Sequence, residues 1–188
     1  MSLFDSLKAK AKNVAESITN STESITIETI PASLDELKKL SICDLTVPAN
    51  VVAMTIIAYN VYTVDKEAGK EIYDFLRGPS PLSAQDISFL NDRVMANGEY
   101  LPRSYFEGAT PDNNYTPNEP GVIKVKLGAH SKDQYDQGYL TLYVHSGGGD
   151  NDRPVTLRKK ESTGEWFIFQ DAGIYMGIRP AKEANPWA

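Results

Sequence analysis

The sequence contains a single cysteine, Cys43, among its 188 residues. An internal disulfide is therefore impossible, which is typical of proteins in a reducing compartment and predicts a cytoplasmic location. No apolar run approaches the roughly 20 residues that a membrane-spanning helix needs. The first 20 residues also lack the continuous apolar core of a secretory signal peptide. Cys43 has no neighbour at a metal-ligand spacing, so we expect a buried and inert thiol.

Histidine is scarce, and no pattern of nucleophile and base is recognisable. The chain has two histidines, His130 and His145, and neither lies in a metalloprotease motif or a triad context. We therefore predict no catalytic residue, no metal site and no cofactor. A non-enzymatic protein is favoured, although an unrecognised enzyme remains an alternative.

Positive charge is also in short supply. The formal net charge is −6, and residues 1–121 carry ten Lys and Arg against 17 Asp and Glu. Nonspecific nucleic-acid binding requires a basic footprint that displaces counterions from phosphates. We therefore expect no nucleic-acid partner.

Three consecutive glycines stand in the segment HSGGGDNDRPVTLRKK, residues 145–160. A phosphate-binding loop would require a helix after the glycines. A calcium loop would begin well with Asp150 and Asp152, but Pro154 occupies its fifth position. The segment is better interpreted as a hairpin connection in which the glycines supply positive φ angles.

The chain begins with an amphipathic pattern, and we predict a helix over residues 1–22. We expect a protein partner, or a second copy of the chain, to bind this helix. Contact with a membrane surface is the weaker alternative, because the apolar face is modest and lacks tryptophan. A polar hinge is predicted over residues 23–32. The partner-binding residues of the helix would be Leu3, Phe4, Leu7, Val14 and Ile18.

Residues 33–188 are predicted to form a single domain in which helices precede strands. Ser33 and Glu36 form a capping box, and Pro48 opens a helix that is apolar on nearly every side. Asp65 and Ser83 cap two further helices. The hydrophobic period then changes from 3.6 to 2, which predicts four or five antiparallel strands, the last of them in GIYMGI (173–178). The predicted fold is an α+β domain: a helical N-terminal half packed on a four- to five-stranded antiparallel meander.

Two candidate sites follow from this arrangement. A long, aromatic loop over residues 99–121 suggests a ligand pocket between helices and sheet. Its residues would be Arg103, Tyr105, Tyr115 and Arg153. The alternation of the strands also places basic and aromatic side chains on the outer face of the sheet, where an anion could bind or where charge could simply keep the face soluble. This sheet-face patch comprises Lys124, Lys126, Tyr143, His145, Arg158 and Lys160.

Several longer motifs resemble a family of proteins. They are LRGPSPLS (76–83), SFLNDR (88–93), PRSYFEGATPDNNYTP (102–117), RPVTLRKK (153–160), WF (166–167), IRP (178–180) and the terminal NPWA (185–188). The same order is similar to a widespread family of uncharacterised bacterial proteins, mostly of Firmicutes type, that share a domain of unknown function. The resemblance covers about residues 45–188 and implies a bacterial origin. It implies no activity and no site residue.

The favoured function is therefore a cytoplasmic, non-enzymatic protein that acts by protein–protein binding or assembly. The alternative is a domain that binds a small anionic ligand, or an enzyme, with its pocket between helices and sheet. We also expect Trp187 to anchor the C-terminus against the domain, because a free terminal tryptophan would expose a large apolar surface.

Overall fold

The computed structural model describes residues 21–97, 100–185 and 187, which form an α+β domain around one antiparallel sheet. Its strands follow one another in the order β1-β2-β3-β4-β5, and each pairs with the next. The fold class predicted from the sequence is confirmed. The strands are β1 Ser21–Ile27, β2 Gly121–Leu127, β3 Tyr139–Val144, β4 Arg153–Lys160 and β5 Glu165–Gln170. The α-helices are α1 Leu34–Leu37, α2 Pro48–Val64, α3 Lys66–Arg77, α4 Ala84–Asn97 and α5 Tyr100–Arg103.

Helix α2 lies at the centre of the core. Pro48 occupies its first turn, and twelve of its 17 residues are buried. A helix with apolar side chains all round must be covered on all sides. Accordingly, α2 packs against α3, α5 and the inner face of the sheet.

The helix boundaries follow the predicted caps. The Ser33 hydroxyl accepts the Glu36 amide, and Asp65 accepts the amides of Glu67 and Ala68. Ser83 accepts the amide of Asp86 and donates to its carboxylate. Each cap satisfies amides that have no partner inside the helix.

One strand comes from the predicted hinge, where the alternation of Ile25 and Ile27 suggests only possible strand character. Residues 21–27 lie mostly in the predicted hinge, but they pair along their whole length with β2 and form one edge of the sheet. Conversely, the segment GIYMGI is not a strand, because a 3-10 turn occupies Ala172–Tyr175. Alternation in a short polar stretch indicates a strand only weakly. Residues 21–27 become a strand because they pair with β2, which is about a hundred residues away in the chain. The predicted helix over residues 1–22 lies outside the described residues apart from Ser21 and Thr22, which belong to β1.

Two further expectations concern single residues. Trp187 is 92% exposed, so the prediction that it anchors the C-terminus is wrong. Its amide donates to the Asn185 side chain within the same turn. Cys43 is half-buried, and burial raises the pKa of its thiol, which disfavours the reactive thiolate.

Within residues 21–97, 100–185 and 187, no helix combines the length and apolar content that crossing a bilayer requires.

The glycines at 147–149 connect β3 to β4, but for a different reason from the one predicted. None of them has a positive φ. Instead, a Cβ on Gly147 would lie 1.9 Å from the carbonyl oxygen of Ala109, and one on Gly148 would lie 2.0 Å from the Tyr115 hydroxyl. The Gly147 amide also donates to the Ser104 carbonyl at 2.9 Å. Gly147 and Gly148 are therefore required because the loop over residues 104–115 packs directly against this backbone, whereas a Cβ on Gly149 would meet the Arg153 guanidinium.

We expect Gly147→Ala to lower the free energy of unfolding by about 2–3 kcal/mol, because the new methyl group displaces backbone rather than a mobile side chain. Urea titration followed by circular dichroism measures the change. The matched control is Gly128→Ala, whose Cβ would come no closer than 3.3 Å to the Tyr143 ring. Equal stability of the two variants would contradict the close approach at Gly147.

Candidate functional site

The outer face of the sheet carries the candidate site. Along β4, Val155 and Leu157 point into the core, while Arg158 and Lys160 are exposed on the opposite side. On β5, Trp166 and Ile168 are buried and Phe167 is half-buried. The period of two thus places cations and aromatic rings together on the outside. All six residues of the predicted sheet-face patch are exposed or half-buried.

Ion pairs divide this patch into two ends. Lys124 lies 2.6 Å from Glu107, and Lys126 lies 3.3 Å from Asp152. His145 contacts the same Asp152 carboxylate at 3.0 Å. At this end, carboxylates of the chain itself offset the positive charge.

At the other end of the patch, the cations have no such partners. Among the described residues, no carboxylate lies within ion-pair distance of Arg158 or Lys160, although Lys160 stands opposite Glu165 across the β4–β5 ladder. The Arg158 guanidinium instead lies 5.5 Å from the centroid of the Tyr139 ring. That ring in turn contacts Phe169, with centroids 4.9 Å apart. Arg158 is therefore oriented by an aromatic neighbour and keeps its hydrogen-bonding capacity for a ligand.

Two adjoining cavities border these residues. One, of about 450 Å³, lies between the C-terminal end of α3 and the strands β4 and β5. The second, of about 420 Å³, extends towards Asp171 and shares Arg77 and Phe169 with the first. We call the combined surface the β4–β5 groove; it is defined by Arg77, Arg158, Lys160, Phe167 and Phe169.

Arg77 lines one side of the groove and is held in place by contacts with its own domain. Its side chain is only 13% exposed, and its guanidinium lies 3.6 Å from Asp171 and 3.7 Å from Asp86. Its Nε donates to the Ser80 carbonyl. The charge of Arg77 is thus already shared between two carboxylates, and the cations available to a ligand are Arg158 and Lys160.

Behind this wall lies a buried polar network. The Tyr175 hydroxyl donates to the Asp171 carboxylate at 2.5 Å and lies 2.9 Å from the Tyr73 hydroxyl. Burial raises the pKa of Asp171, while the hydrogen bond from Tyr175 and the nearby Arg77 only partly oppose this rise. All of these polar groups find partners inside the fold, which is the usual condition for burying them.

The four residues of the predicted ligand pocket do not form one site. Tyr105 is buried, and its hydroxyl donates to the Ile174 carbonyl at 2.7 Å. Tyr115 is also buried and donates to the Arg179 carbonyl at 2.6 Å. Arg153 donates to the Gly177 carbonyl at 2.7 Å. These three side chains tie the long loop and the start of β4 to the C-terminal segment.

Arg103 is exposed and lies apart from these ties. It borders a separate cavity of about 510 Å³, together with Glu28 and Glu119. The mixed charges around that cavity give it no preference for an anion. Across the described part of the chain, no three acidic, histidine or cysteine side chains come together in a way that would hold a metal ion.

Comparison with known proteins places the chain in a family. Residues 29–182 match the family described as domain of unknown function (DUF6935). The chain belongs to this family. No curated protein and no solved structure matches the chain. Strand β1 precedes the matched range, so it is added to the edge of the DUF6935 domain from outside that range.

Sequence reasoning found Arg158 and Lys160 but missed Phe167 and Phe169 as part of the same surface. Phe167 stands directly across from Arg158 in the β4–β5 register. The signal that could have identified it is the alternation in EWFIFQ, where two buried positions alternate with two phenylalanines. The outer-face pattern predicted for β4 was not extended to this strand.

We expect Tyr105→Phe to destabilise the DUF6935 domain by about 1–2 kcal/mol, because it removes a buried hydrogen bond to the Ile174 carbonyl. Chemical unfolding monitored by fluorescence measures this effect. Tyr135→Phe is the control, because Tyr135 is 44% exposed and its hydroxyl has no hydrogen bond to a described residue. A Tyr105 variant as stable as the control would show that the hydrogen bond to the Ile174 carbonyl does not stabilise the domain.

We expect Asp171→Asn to change how stability depends on pH. With its pKa raised in the folded state, Asp171 keeps its proton to a higher pH than in the unfolded chain, whose carboxyl titrates near the ordinary 3.8. Wild-type stability therefore falls as pH rises from 3.8 through the raised pKa, and asparagine lacks this dependence. The free energy of unfolding of the variant relative to wild type should rise across that window. Urea titrations at several pH values test this, and a constant difference would contradict it.

Proposed function

We propose that this domain is a non-enzymatic binding domain and that its β4–β5 groove binds an acidic segment of a partner protein. The observation that carries the proposal is the division of the sheet-face patch. Lys124, Lys126 and His145 are matched with carboxylates, whereas Arg158 and Lys160 are not. Exposed cations beside aromatic rings suit a carboxylate-bearing ligand that also has apolar side chains.

The overall charge supports a short acidic segment as the partner. With a net charge of −6, the protein as a whole repels a long polyanion. Attraction is confined to the groove, where screening by salt limits its range to about 10 Å. A nucleic acid would extend beyond this range, whereas a few acidic residues of a protein would not.

The shape of the groove supports an extended ligand. Its two cavities share Arg77 and Phe169 and run along the edge strand β5. Phe169 is 43% exposed at their junction, so an apolar side chain of the ligand could cover it. A bound segment would thus place apolar residues on Phe167 and Phe169 and acidic ones on Arg158 and Lys160.

The cellular setting belongs to the same proposal. We place the protein in the cytoplasm of a bacterium, because a single half-buried cysteine suits a reducing compartment. The bacterial setting rests on the motif resemblance alone. A second candidate function is the binding of a small anion, which the 450 Å³ cavity would accommodate.

We expect Arg158→Ala/Lys160→Ala to weaken the binding of a fluorescein-labelled peptide that alternates glutamate with leucine by at least about ten-fold, the effect of losing about 1.4 kcal/mol. Fluorescence anisotropy at low salt measures the affinity. Lys124→Ala/Lys126→Ala is the matched control, because it removes the same charge from the same face of the sheet. That control should bind as the wild type does.

Two results would overturn the proposal. Equal weakening in both double variants would mean that only net charge attracts the peptide. Tight binding of inorganic tripolyphosphate that depends on Arg158 and Lys160, with no binding of the peptide, would instead establish the small-anion function.

A further inference from the structure

A cavity of about 510 Å³ lies where the end of β1, helix α2 and the loop before β2 meet. Its lining comes from four separate stretches of the chain, which lie within residues 27–30, 103–106 and 117–121 and at Asn60. These residues differ from those that define the β4–β5 groove. The volume of the cavity lies in the range of sites that bind small molecules.

Backbone contacts hold the loop that forms much of this cavity. The Glu107 amide donates to the Val122 carbonyl at 2.8 Å, and the Asn118 amide donates to the Glu107 carbonyl at 2.9 Å. Phe106 forms an isolated antiparallel bridge with Ile123 of β2. The loop is therefore fixed to the sheet, and the cavity is formed before any ligand arrives, which lowers the entropic cost of binding.

The polar groups around the cavity have unused hydrogen-bonding capacity. Among the described residues, none forms an ion pair or a hydrogen bond with the Arg103 guanidinium or with the carboxylates of Glu28 and Glu119. The side-chain amide of Asn60, which is half-buried on α2, likewise has no partner in the described part of the chain. Charges of both signs thus border one cavity without pairing with each other.

The rest of the lining is largely apolar. Ile27 and Phe106 are buried behind the cavity, and Pro117 and Pro120 belong to its wall. Ile30 is 37% exposed, so an apolar group of a ligand that covered it would remove hydrocarbon surface from water. The cavity therefore offers an apolar contact beside its charged groups.

Neither a simple anion nor a simple cation matches this lining. One guanidinium stands with two carboxylates, so the local charge is negative and disfavours an anion. A simple cation would satisfy a carboxylate but would leave the guanidinium without a partner. A zwitterion satisfies groups of both signs, and an α-amino acid carries its ammonium group, its carboxylate and its side chain on one carbon atom.

We propose that this cavity binds a free α-amino acid with an apolar side chain. The ligand carboxylate lies against Arg103 and the Asn60 amide, because a guanidinium offers paired N–H donors that match a carboxylate. The ammonium group lies against Glu28 or Glu119, and the apolar side chain covers Ile30. This site is independent of the acidic segment proposed for the β4–β5 groove, so one molecule can hold both ligands.

The test is a titration of the full-length protein with L-leucine and, separately, with L-phenylalanine, followed by amide NMR spectra. Each amino acid should shift the backbone amide signals of Ile30, Asn118 and Gly121 in a saturable manner. Isocaproate is leucine without its amine, and isoamylamine is leucine without its carboxylate. Neither should cause saturable shifts at the same concentrations, because each satisfies groups of one sign alone.

We expect Arg103→Gln to weaken the binding of L-leucine by at least about ten-fold, because the charge-assisted hydrogen bonds to the ligand carboxylate are lost. Its melting temperature should match that of the wild type, because the Arg103 side chain holds no contact with the described residues. The matched control is Arg179→Gln, which removes the same charge from an arginine that pairs with Asp150. This control should bind L-leucine as the wild type does.

Three results would overturn the proposal. If neither amino acid caused a saturable shift, the cavity would not be a site for this class of ligand. If isocaproate or isoamylamine bound as tightly as L-leucine, one charge would suffice and a zwitterion would not be what the cavity recognises. Equal weakening in Arg103→Gln and Arg179→Gln would trace the effect to net charge.

Discussion

The burial of helix α2 is the constraint on which the rest of the fold depends. Its apolar side chains, such as Met54, Ile56 and Ile57, are fully buried, and each contributes about 1.5–3 kcal/mol when removed from water. No single partner can cover a helix that is apolar all round, so α3, α5 and the sheet each take one side. The inner face of the sheet is thereby committed to the core, and its outer face remains for other contacts.

This division explains why charge on the outer face is informative. An antiparallel sheet with one covered face needs polar residues on the other, and lysine or arginine would serve for solubility alone. Solubility, however, does not require that some cations be paired and others not. Lys124 and Lys126 form ion pairs with carboxylates, while Arg158 makes a cation–π contact with the Tyr139 ring. The proposed ligand therefore gains most at the unpaired end, because it need not displace an existing partner.

The features that were predictable from the sequence are those with local causes. The caps at Ser33, Asp65 and Ser83 and the alternation in β4 depend on residues a few positions apart. The features that the sequence did not settle depend on distant partners: the pairing of β1 with β2 spans the entire helical region. Likewise, Tyr105 is 69 positions from the carbonyl that it contacts. An aromatic loop looks the same in sequence whether its hydroxyls face a ligand or a distant backbone carbonyl.

The same contacts indicate which residues of this domain are free to serve a function. Tyr105, Tyr115 and Arg153 each hold a backbone carbonyl of the C-terminal segment. Burial raises the pKa of Tyr115 to about 12, so its phenol stays neutral and continues to donate. Packing therefore explains why these three side chains lie where they do. Among the described residues, Arg158 and Lys160 make no ion pair, and the proposed binding of an acidic segment gives a physical reason for placing these two cations beside Phe167 and Phe169.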